Sequence, residues 1–336
     1  MKIKSLLLFI FLIISSHAQA ACYLRDGSSP QTLTLPSQTI FIDADAPVDT
    51  ALPVYVMQTP PLGQLVTWDN CPTGLEVGRD VYNLIGLDAV THTYATNVSG
   101  IRVKPLYSNG VGEGFFPRTQ NYNCILDGKP TSLCTLSVAA QSYFKMEFYK
   151  TSDKLSLNNK DGDVVLPAAL TLYYWIEFNA PSNHTLKLYM NEVKIVSTPV
   201  CQVSDGINID YGLVTSRTLT SAGIAKDLDF HINCKTDYGT YSASAYINTD
   251  TPAPDSSYIR VEDASGSRET LGIKIKNSKG NDMLLNTPQS SEIRSGNNSE
   301  SAAVFNWKAI LFPISSTKSP ANGVFRATAH ITFNIN

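Results

Sequence analysis

Residues 323–336 read Gly-Val-Phe-Arg-Ala-Thr-Ala-His-Ile-Thr-Phe-Asn-Ile-Asn, and every second position from Phe325 to Ile335 is apolar. Successive side chains of a β-strand point to opposite faces, so this period of two predicts a strand with one face in a hydrophobic core. The core-facing set is Phe325, Ala327, Ala329, Ile331, Phe333 and Ile335, and Gly323 stands just before it. The end of the sequence is therefore predicted to be β-structure.

The same alternation recurs along the rest of the sequence. Phe144–Phe148, Leu186–Met190 and Leu271–Ile275 each have an apolar residue at every second position. Turn pairs separate such runs, namely Asn109-Gly110, Asp127-Gly128, Asp161-Gly162 and Lys279-Gly280. Short strands punctuated in this way are typical of β-sandwiches, so the sequence predicts an all-β protein.

The first twenty residues have the pattern of a signal peptide. Lys2 and Lys4 precede the apolar run Leu6–Ile14, and Ala18-Gln19-Ala20 has the spacing of a cleavage site. The sequence therefore predicts export through the periplasm, with the mature chain starting at Ala21. The formal net charge of −3 argues against nucleic acid, which is bound through clustered Lys and Arg.

The cysteines predict disulfides and two domains. All six lie in the exported part, at Cys22, Cys71, Cys124, Cys134, Cys201 and Cys234. A zinc site would need closely spaced pairs, and an even count in an exported chain favours disulfides. A chain of 336 residues is too long for one ordinary core. The segment Val196–Val200 is the predicted boundary, which gives domains at 21–198 and 199–336 and leaves three possible pairings among the first four cysteines.

The part of the chain after this boundary carries a recognisable pattern. Cys201 opens it, Ile209-Asp210-Tyr211-Gly212 follows, and the strand-like run Leu228–Cys234 ends on the second cysteine. Together with the alternating terminal stretch, this resembles the pilin domain of chaperone–usher fimbriae, although Ile335 stands where tyrosine is usual. The resemblance implies an incomplete immunoglobulin-like sandwich with an open hydrophobic groove. Gly323 and the alternating apolar residues from Phe325 to Ile335 would border this groove. A periplasmic chaperone and then a strand of the adjoining subunit would fill that groove, with assembly at an outer-membrane usher.

The layout of the whole chain resembles the two-domain tip adhesins of type 1 and related fimbriae. Cys22 follows the predicted cleavage site almost directly, so we expect no donor arm and a position at the fimbrial tip. The resemblance implies an N-terminal lectin-like jelly roll with disulfides Cys22–Cys71 and Cys124–Cys134. Its expected partner is a host glycan or glycoprotein receptor.

Two stretches combine aromatic and planar polar side chains, as sugar sites do. One contains Trp68, Asp69 and Asn70, and the other is interpreted as a glycine-flanked loop spanning residues 113–123. The candidate ligand-binding residues in this loop are Arg118, Gln120, Asn121, Tyr122 and Asn123. The alternative interpretations are a core tryptophan against a disulfide at Trp68 and a polar turn before Cys124.

The predicted function is that of a fimbrial tip adhesin that attaches bacteria to a host surface ligand, with a glycan preferred. The alternatives are a tip adhesin for a host matrix protein, a secreted enzyme and a structural minor pilin. The sequence has neither the G-x-S-x-G nor the H-E-x-x-H motif, so no enzyme is predicted. The histidines after the signal peptide are isolated from one another in the sequence, so neither a metal site nor a cofactor is predicted. They are His92, His184, His231 and His330.

Overall fold

The computed structural model describes residues 22–177, 179, 184–215, 217–297 and 301–335, so the predicted signal peptide lies outside the described residues. The regular secondary structure of the described residues consists of strands and one short 3-10 turn, Pro288–Ser290. This confirms the all-β prediction. Within the same residues, no helix has the length and apolar character needed to cross a membrane.

The described residues form twenty-seven strands. The first nineteen are β1 (Tyr23–Leu24), β2 (Gln31–Leu35), β3 (Gln38–Asp43), β4 (Tyr55–Gln58), β5 (Val66–Pro72), β6 (Leu75–Val81), β7 (Ile85–Asp88), β8 (Thr93–Ala95), β9 (Ile101–Ser108), β10 (Glu113–Phe115), β11 (Arg118–Tyr122), β12 (Ile125–Leu126), β13 (Lys129–Pro130), β14 (Leu133–Val138), β15 (Tyr143–Lys150), β16 (Asp163–Leu166), β17 (Ala169–Ile176), β18 (His184–Met190) and β19 (Val193–Thr198). The last eight are β20 (Val200–Val203), β21 (Ile224–Lys235), β22 (Thr240–Asn248), β23 (Ile259–Val261), β24 (Leu271–Lys276), β25 (Glu292–Asn297), β26 (Ala303–Pro313) and β27 (His330–Ile335).

The chain forms two compact units. The first unit comprises the residues up to Ile40 together with Pro47–Asp153 and Asp161–Val196. The second unit runs from Ser197 onward and also includes Phe41–Ala46 and Lys154–Lys160. A single boundary in the sequence does not produce this division, because the two short segments belong to the second unit but precede Ser197 in the chain. The domain boundary at residues 198 and 199 stays a prediction.

The strands of the described residues form seven sheets. Their orders are β1-β5-β14, β4-β15-β9-β8-β7 with β10 on β9, β11-β6-β17-β18-β2, β12-β13, β16-β19-β3, β20-β21-β26-β24-β23 and β25-β22-β27. The alternation in β15 and β18 explains their place in the core, because Phe144, Met146 and Phe148 are fully buried while Lys145 and Glu147 are less so. The jelly-roll and immunoglobulin-like topologies stay predictions.

The core of the first unit contains a disulfide cluster beside the sheet β11-β6-β17. Cys22, Cys71, Leu75 and Val77 are buried there, and Tyr174 packs against them. The disulfides are Cys22–Cys71, Cys124–Cys134 and Cys201–Cys234, which are the pairings that the resemblance implied. Loops that would otherwise be long are therefore closed covalently in both units, which constrains the unfolded chain.

An aromatic group forms the centre of the second unit. The Phe230 and Phe305 rings stack with their centroids 5.0 Å apart, and Trp307 meets Phe230 edge-on at 4.8 Å. Phe333 of β27 lies edge-on to Phe230 at 5.8 Å. The terminal strand thus packs on the core with one face, as its alternation predicts.

The terminal strand is shorter than the sequence predicted. The alternating pattern starts at Phe325, but β27 begins at His330. The backbone N–H and C=O of Arg326 pair instead with Glu262, with N···O distances of 2.9 Å in both directions. Arg326 is thus tied to a different part of the unit, and the residues before His330 do not join the β22 ladder.

Candidate functional site

Eight of the residues 113–123 form the strands β10 and β11, so the predicted glycine-flanked loop is wrong. β10 pairs with β9, and β11 pairs with β6 from Arg118 opposite Arg79 to Tyr122 opposite Leu75. The glycines suggested a loop, but Gly114 lies in a strand, where its missing side chain leaves room for Arg79. A Cβ at position 114 would collide with the Arg79 guanidinium, so only glycine lets this side chain lie against the strand.

The strand geometry divides the predicted residues of this stretch between two faces. Arg118 and Gln120 line a cavity of about 480 Å³ in the first unit, whereas Asn121 points to the other face of β11. We call this space the arginine cavity. Its lining is Val77, Gly78, Arg79, Tyr107, Asn109, Val111, Gly112, Glu113, Gly114, Arg118, Gln120, Ser137, Ala139 and Tyr174.

Arg79 is the central cation of the arginine cavity. Its Nε donates a hydrogen bond to the Phe115 carbonyl at 3.0 Å, and its guanidinium carbon lies 5.4 Å from the centre of the Tyr107 ring and 5.9 Å from that of Phe116. Burial lowers the pKa of Arg79 from its usual value, and the charge of Arg118 lowers it further. One nitrogen is thus fixed by the backbone while the guanidinium is held between rings.

Three strands place their side chains in one row across the sheet. Arg79 lies directly opposite Arg118 on β11 and directly opposite Tyr174 on β17. Directly opposite residues of antiparallel strands share a face, so all three side chains point to the same side. The Tyr107 and Tyr174 ring centroids are 5.3 Å apart, and burial raises the pKa of both hydroxyls.

The carboxylate that lines the arginine cavity already has partners. Glu113 lies 2.6 Å from the Lys145 ammonium and accepts a hydrogen bond from the Tyr143 hydroxyl at 3.0 Å. Within the part of the chain that the structure describes, neither Arg79 nor Arg118 forms an ion pair. The electrostatic character of the cavity is therefore cationic.

The other predicted stretch lies outside the arginine cavity. Trp68 packs against the disulfide cluster, in line with its alternative interpretation as a core residue. Asp69 accepts two hydrogen bonds of 2.7 Å from Arg25 and one of 2.9 Å from Thr135, and these bonds lower the pKa of its carboxyl. Asn70 has a left-handed backbone with φ of 59°.

Three other predicted residues lie on the surface. Asn121, Tyr122 and Asn123 are exposed, and none of them lines the arginine cavity. The sequence interpretation in turn missed Arg79, Tyr107 and Tyr174. The sequence does contain a signal for Arg79. Leu75 and Val77 are buried alternate positions of β6, and Arg79 is the next position on the same face but carries a charged side chain.

A second cavity of about 480 Å³ lies in the second unit, and we call it the terminal-strand groove. Five of the seven predicted groove residues line it, namely Phe325, Ala327, Ala329, Ile331 and Phe333, whereas Gly323 and Ile335 do not. Its opposite wall is the segment Val203–Ile209, and its floor includes Leu228, Ile247, Ile275 and Ala309. The groove is thus apolar along its floor.

One wall of the terminal-strand groove is a sheet edge. Among the described strands, β27 pairs only with β22, so its outer edge presents backbone N–H and C=O groups that are suited to pair with an added strand. The facing wall continues from β20, of which only Val203 lines the groove. The side chains of Ile331 and Phe333 are only half-buried.

Comparison with known proteins finds a similar family for the C-terminal part of the chain. Residues 190–336 match the model of the family described as fimbrial protein. The sequence matches no curated protein.

Three solved structures are similar to this chain, one over about half of its length and two over most of it. The receptor-binding domain of the plasmid-born adhesin MrkD1P of Klebsiella pneumoniae is 20% identical, covers 56% of this chain and 99% of its own, and has a TM-score of 0.37. The CupB6 tip adhesin of Pseudomonas aeruginosa is 13% identical over 93% of both chains, with a TM-score of 0.36. The CsuC–CsuE chaperone–tip adhesion subunit complex of Acinetobacter baumannii contributes a chain that is 9% identical, covers 93% of this chain and 99% of its own, and has a TM-score of 0.35.

The family match falls on the part of the chain where the sequence resembles a pilin domain, and it confirms that resemblance. Residues 190–336 are therefore similar to the fimbrial protein family.

Proposed function

We propose that this protein is the tip adhesin of a chaperone–usher fimbria, exported through the periplasm and exposed at the bacterial surface. The second unit accepts a β-strand in the terminal-strand groove, first from a periplasmic chaperone and then from the adjoining subunit at the outer-membrane usher. The first unit binds a glycan of the host surface. Attachment is then a binding function that involves no chemical reaction.

The observation that carries this proposal is the terminal-strand groove within a fimbrial protein domain. It is bounded on one side by the unpaired edge of β27 and on the other by Val203–Ile209, and it has an apolar floor. An added strand satisfies the backbone groups of the β27 edge and covers half-buried side chains such as Ile331 and Phe333. An exposed groove of this kind otherwise favours aggregation by edge pairing.

Thermal unfolding of the exported chain tests strand acceptance. The added ligand is a synthetic peptide of about fifteen residues from the N-terminal extension of the adjoining subunit. Because it binds only the folded state, a concentration of 100 times its Kd stabilises the fold by about 2.7 kcal/mol. This corresponds to a rise in Tm of about 10 °C for a unit of this size. A peptide of the same composition without alternation is the control, and an equal Tm with both peptides contradicts the proposal.

A matched pair of variants locates the binding. Ala327→Asp places a carboxylate in the terminal-strand groove, whereas Val324→Asp places one nearby but outside its lining. Both positions are exposed, so neither change buries a charge in the protein without peptide. An inserted strand desolvates the carboxylate at position 327, and the peptide-induced Tm rise should shrink in Ala327→Asp only.

A further inference from the structure

The two arginines of the arginine cavity lie side by side without a compensating charge. Arg79 and Arg118 are directly opposite each other on β6 and β11, an arrangement in which like charges destabilise a sheet. Neither has a carboxylate partner among the described residues, and Glu113 is held by Lys145 and the Tyr143 hydroxyl. A bound anion removes this repulsion, so the cavity is suited to a negatively charged group.

The Arg79 guanidinium is positioned for such a group. Its Nε donates to the Phe115 carbonyl, and its Nη2 atom occupies the place that a side chain at position 114 would take. The two Nη atoms retain donors, and a guanidinium binds planar or tetrahedral oxyanions through paired hydrogen bonds. Arg118 is exposed and can close on the same anion from the neighbouring strand.

The remaining lining matches a sugar ring. Tyr107 and Tyr174 supply an aromatic wall, and Gln120 contributes an amide that both donates and accepts hydrogen bonds to hydroxyls. A volume of about 480 Å³ lies within the range of small-molecule sites. The combination of aromatic faces, an amide and two cations is more than an inorganic anion needs.

We propose that the arginine cavity binds an acidic saccharide, a pyranose that carries a carboxylate or a sulfate group. Arg79 and Arg118 hold the anionic group, Gln120 bonds a ring hydroxyl, and the Tyr107–Tyr174 wall contacts the apolar ring face. This inference rests on the proposed function, since it specifies the class of glycan that the first unit recognises.

Titration calorimetry of the full exported chain tests the inference with three related sugars. The ligands are lactose, 3′-sialyllactose and 3′-sulfolactose. The acidic sugars should bind with Kd values below about 1 mM, and lactose should bind at least tenfold more weakly. The stronger of the two acidic ligands identifies whether carboxylate or sulfate is preferred.

Variants connect binding to the two arginines. Arg118→Gln should weaken acidic-sugar binding tenfold or more, whereas Lys129→Gln removes one exposed positive charge outside the cavity and should change it less than twofold. Gly114→Ala displaces the Arg79 guanidinium while the net charge stays the same, and it should also weaken binding tenfold. An unchanged Tm in each variant shows that the fold is intact.

The outcomes separate this inference from the proposed function. Equal affinity for lactose and the acidic sugars, or full binding by Arg118→Gln, overturns the acidic-saccharide inference while glycan attachment stands. A glycan array with no bound sugar of any kind contradicts glycan attachment itself. Peptide binding in the terminal-strand groove is measured independently of both results.

Discussion

Replacing Glu292 by leucine should destabilise the second unit strongly. The buried Glu292 carboxylate accepts a hydrogen bond from Trp307 Nε1 at 2.6 Å and bonds from the Ser278 N–H and hydroxyl at 3.1 Å each. Its other oxygen lies 2.7 Å from an Arg294 nitrogen. Leucine keeps the approximate volume but leaves all of these donors without their acceptor.

The magnitude follows from the donors that lose their partner. Trp307 is fully buried, so its indole N–H has no access to water after the change. A buried donor left unpaired costs about 1–3 kcal/mol, and Ser278 adds a second one. Arg294 is more exposed and can turn to solvent, so its contribution is smaller. A total of about 3 kcal/mol corresponds to a Tm lower by about 10 °C.

Differential scanning calorimetry of Glu292→Leu beside Glu269→Leu measures this effect. Glu269 is exposed and paired with Lys318, so its replacement should leave Tm nearly unchanged. Burial opposes ionisation of Glu292, but the hydrogen bonds from Ser278 and Trp307 outweigh it and lower its pKa. Its contribution is therefore complete above the unfolded pKa and is lost as the pH falls through the lower folded value. A Tm within about 2 °C of wild type refutes the reasoning.

Three further predictions concern other parts of the molecule. The hydrogen bond from Ser265, which outweighs partial burial, lowers the pKa of Asp263 to about 2. In acid titrations followed by circular dichroism, the wild-type protein should therefore lose stability between about pH 4 and pH 2 as Asp263 is protonated. The variant Asp263→Asn should lose less stability over the same range. Replacing Cys124 and Cys134 together by alanine should cost about 3 kcal/mol in denaturant unfolding, because a loop of this length is no longer closed. Gln120→Ala should weaken acidic-sugar binding severalfold while Asn121→Ala leaves it unchanged, and equal losses in calorimetry contradict the strand assignment of β11.

Local sequence periodicity predicted the fold class because it depends only on neighbouring residues. The alternation of Phe144, Met146 and Phe148 corresponds to three fully buried side chains on one face of β15. Only the second half of the terminal pattern forms a strand, β27. The first half contains Arg326, and its pairing with Glu262 depends on residues that are distant in sequence. A period of two predicts which face is buried but does not determine the pairing partner of a strand.

The arginine cavity could be predicted only in part. Arg118 and Gln120 were identified from their side-chain chemistry, whereas Arg79 and Tyr174 come from strands that are far apart in the chain. Cross-strand register brings Arg79 between Arg118 and Tyr174, and register is a property of the folded sheet. Gly114 was interpreted as a loop residue, although its role is the space that it leaves for a side chain of another strand.

Amide hydrogen exchange of the exported chain, with and without the donor peptide, tests strand acceptance most directly. Bound peptide should slow exchange in β27, His330–Ile335, because the added strand pairs with its open edge, and in the facing wall, Val203–Ile209, because the added strand covers it. The strands of the first unit should exchange at unchanged rates. Slowed exchange elsewhere, with rates in β27 and Val203–Ile209 unaltered at saturating peptide, would contradict strand acceptance in the terminal-strand groove.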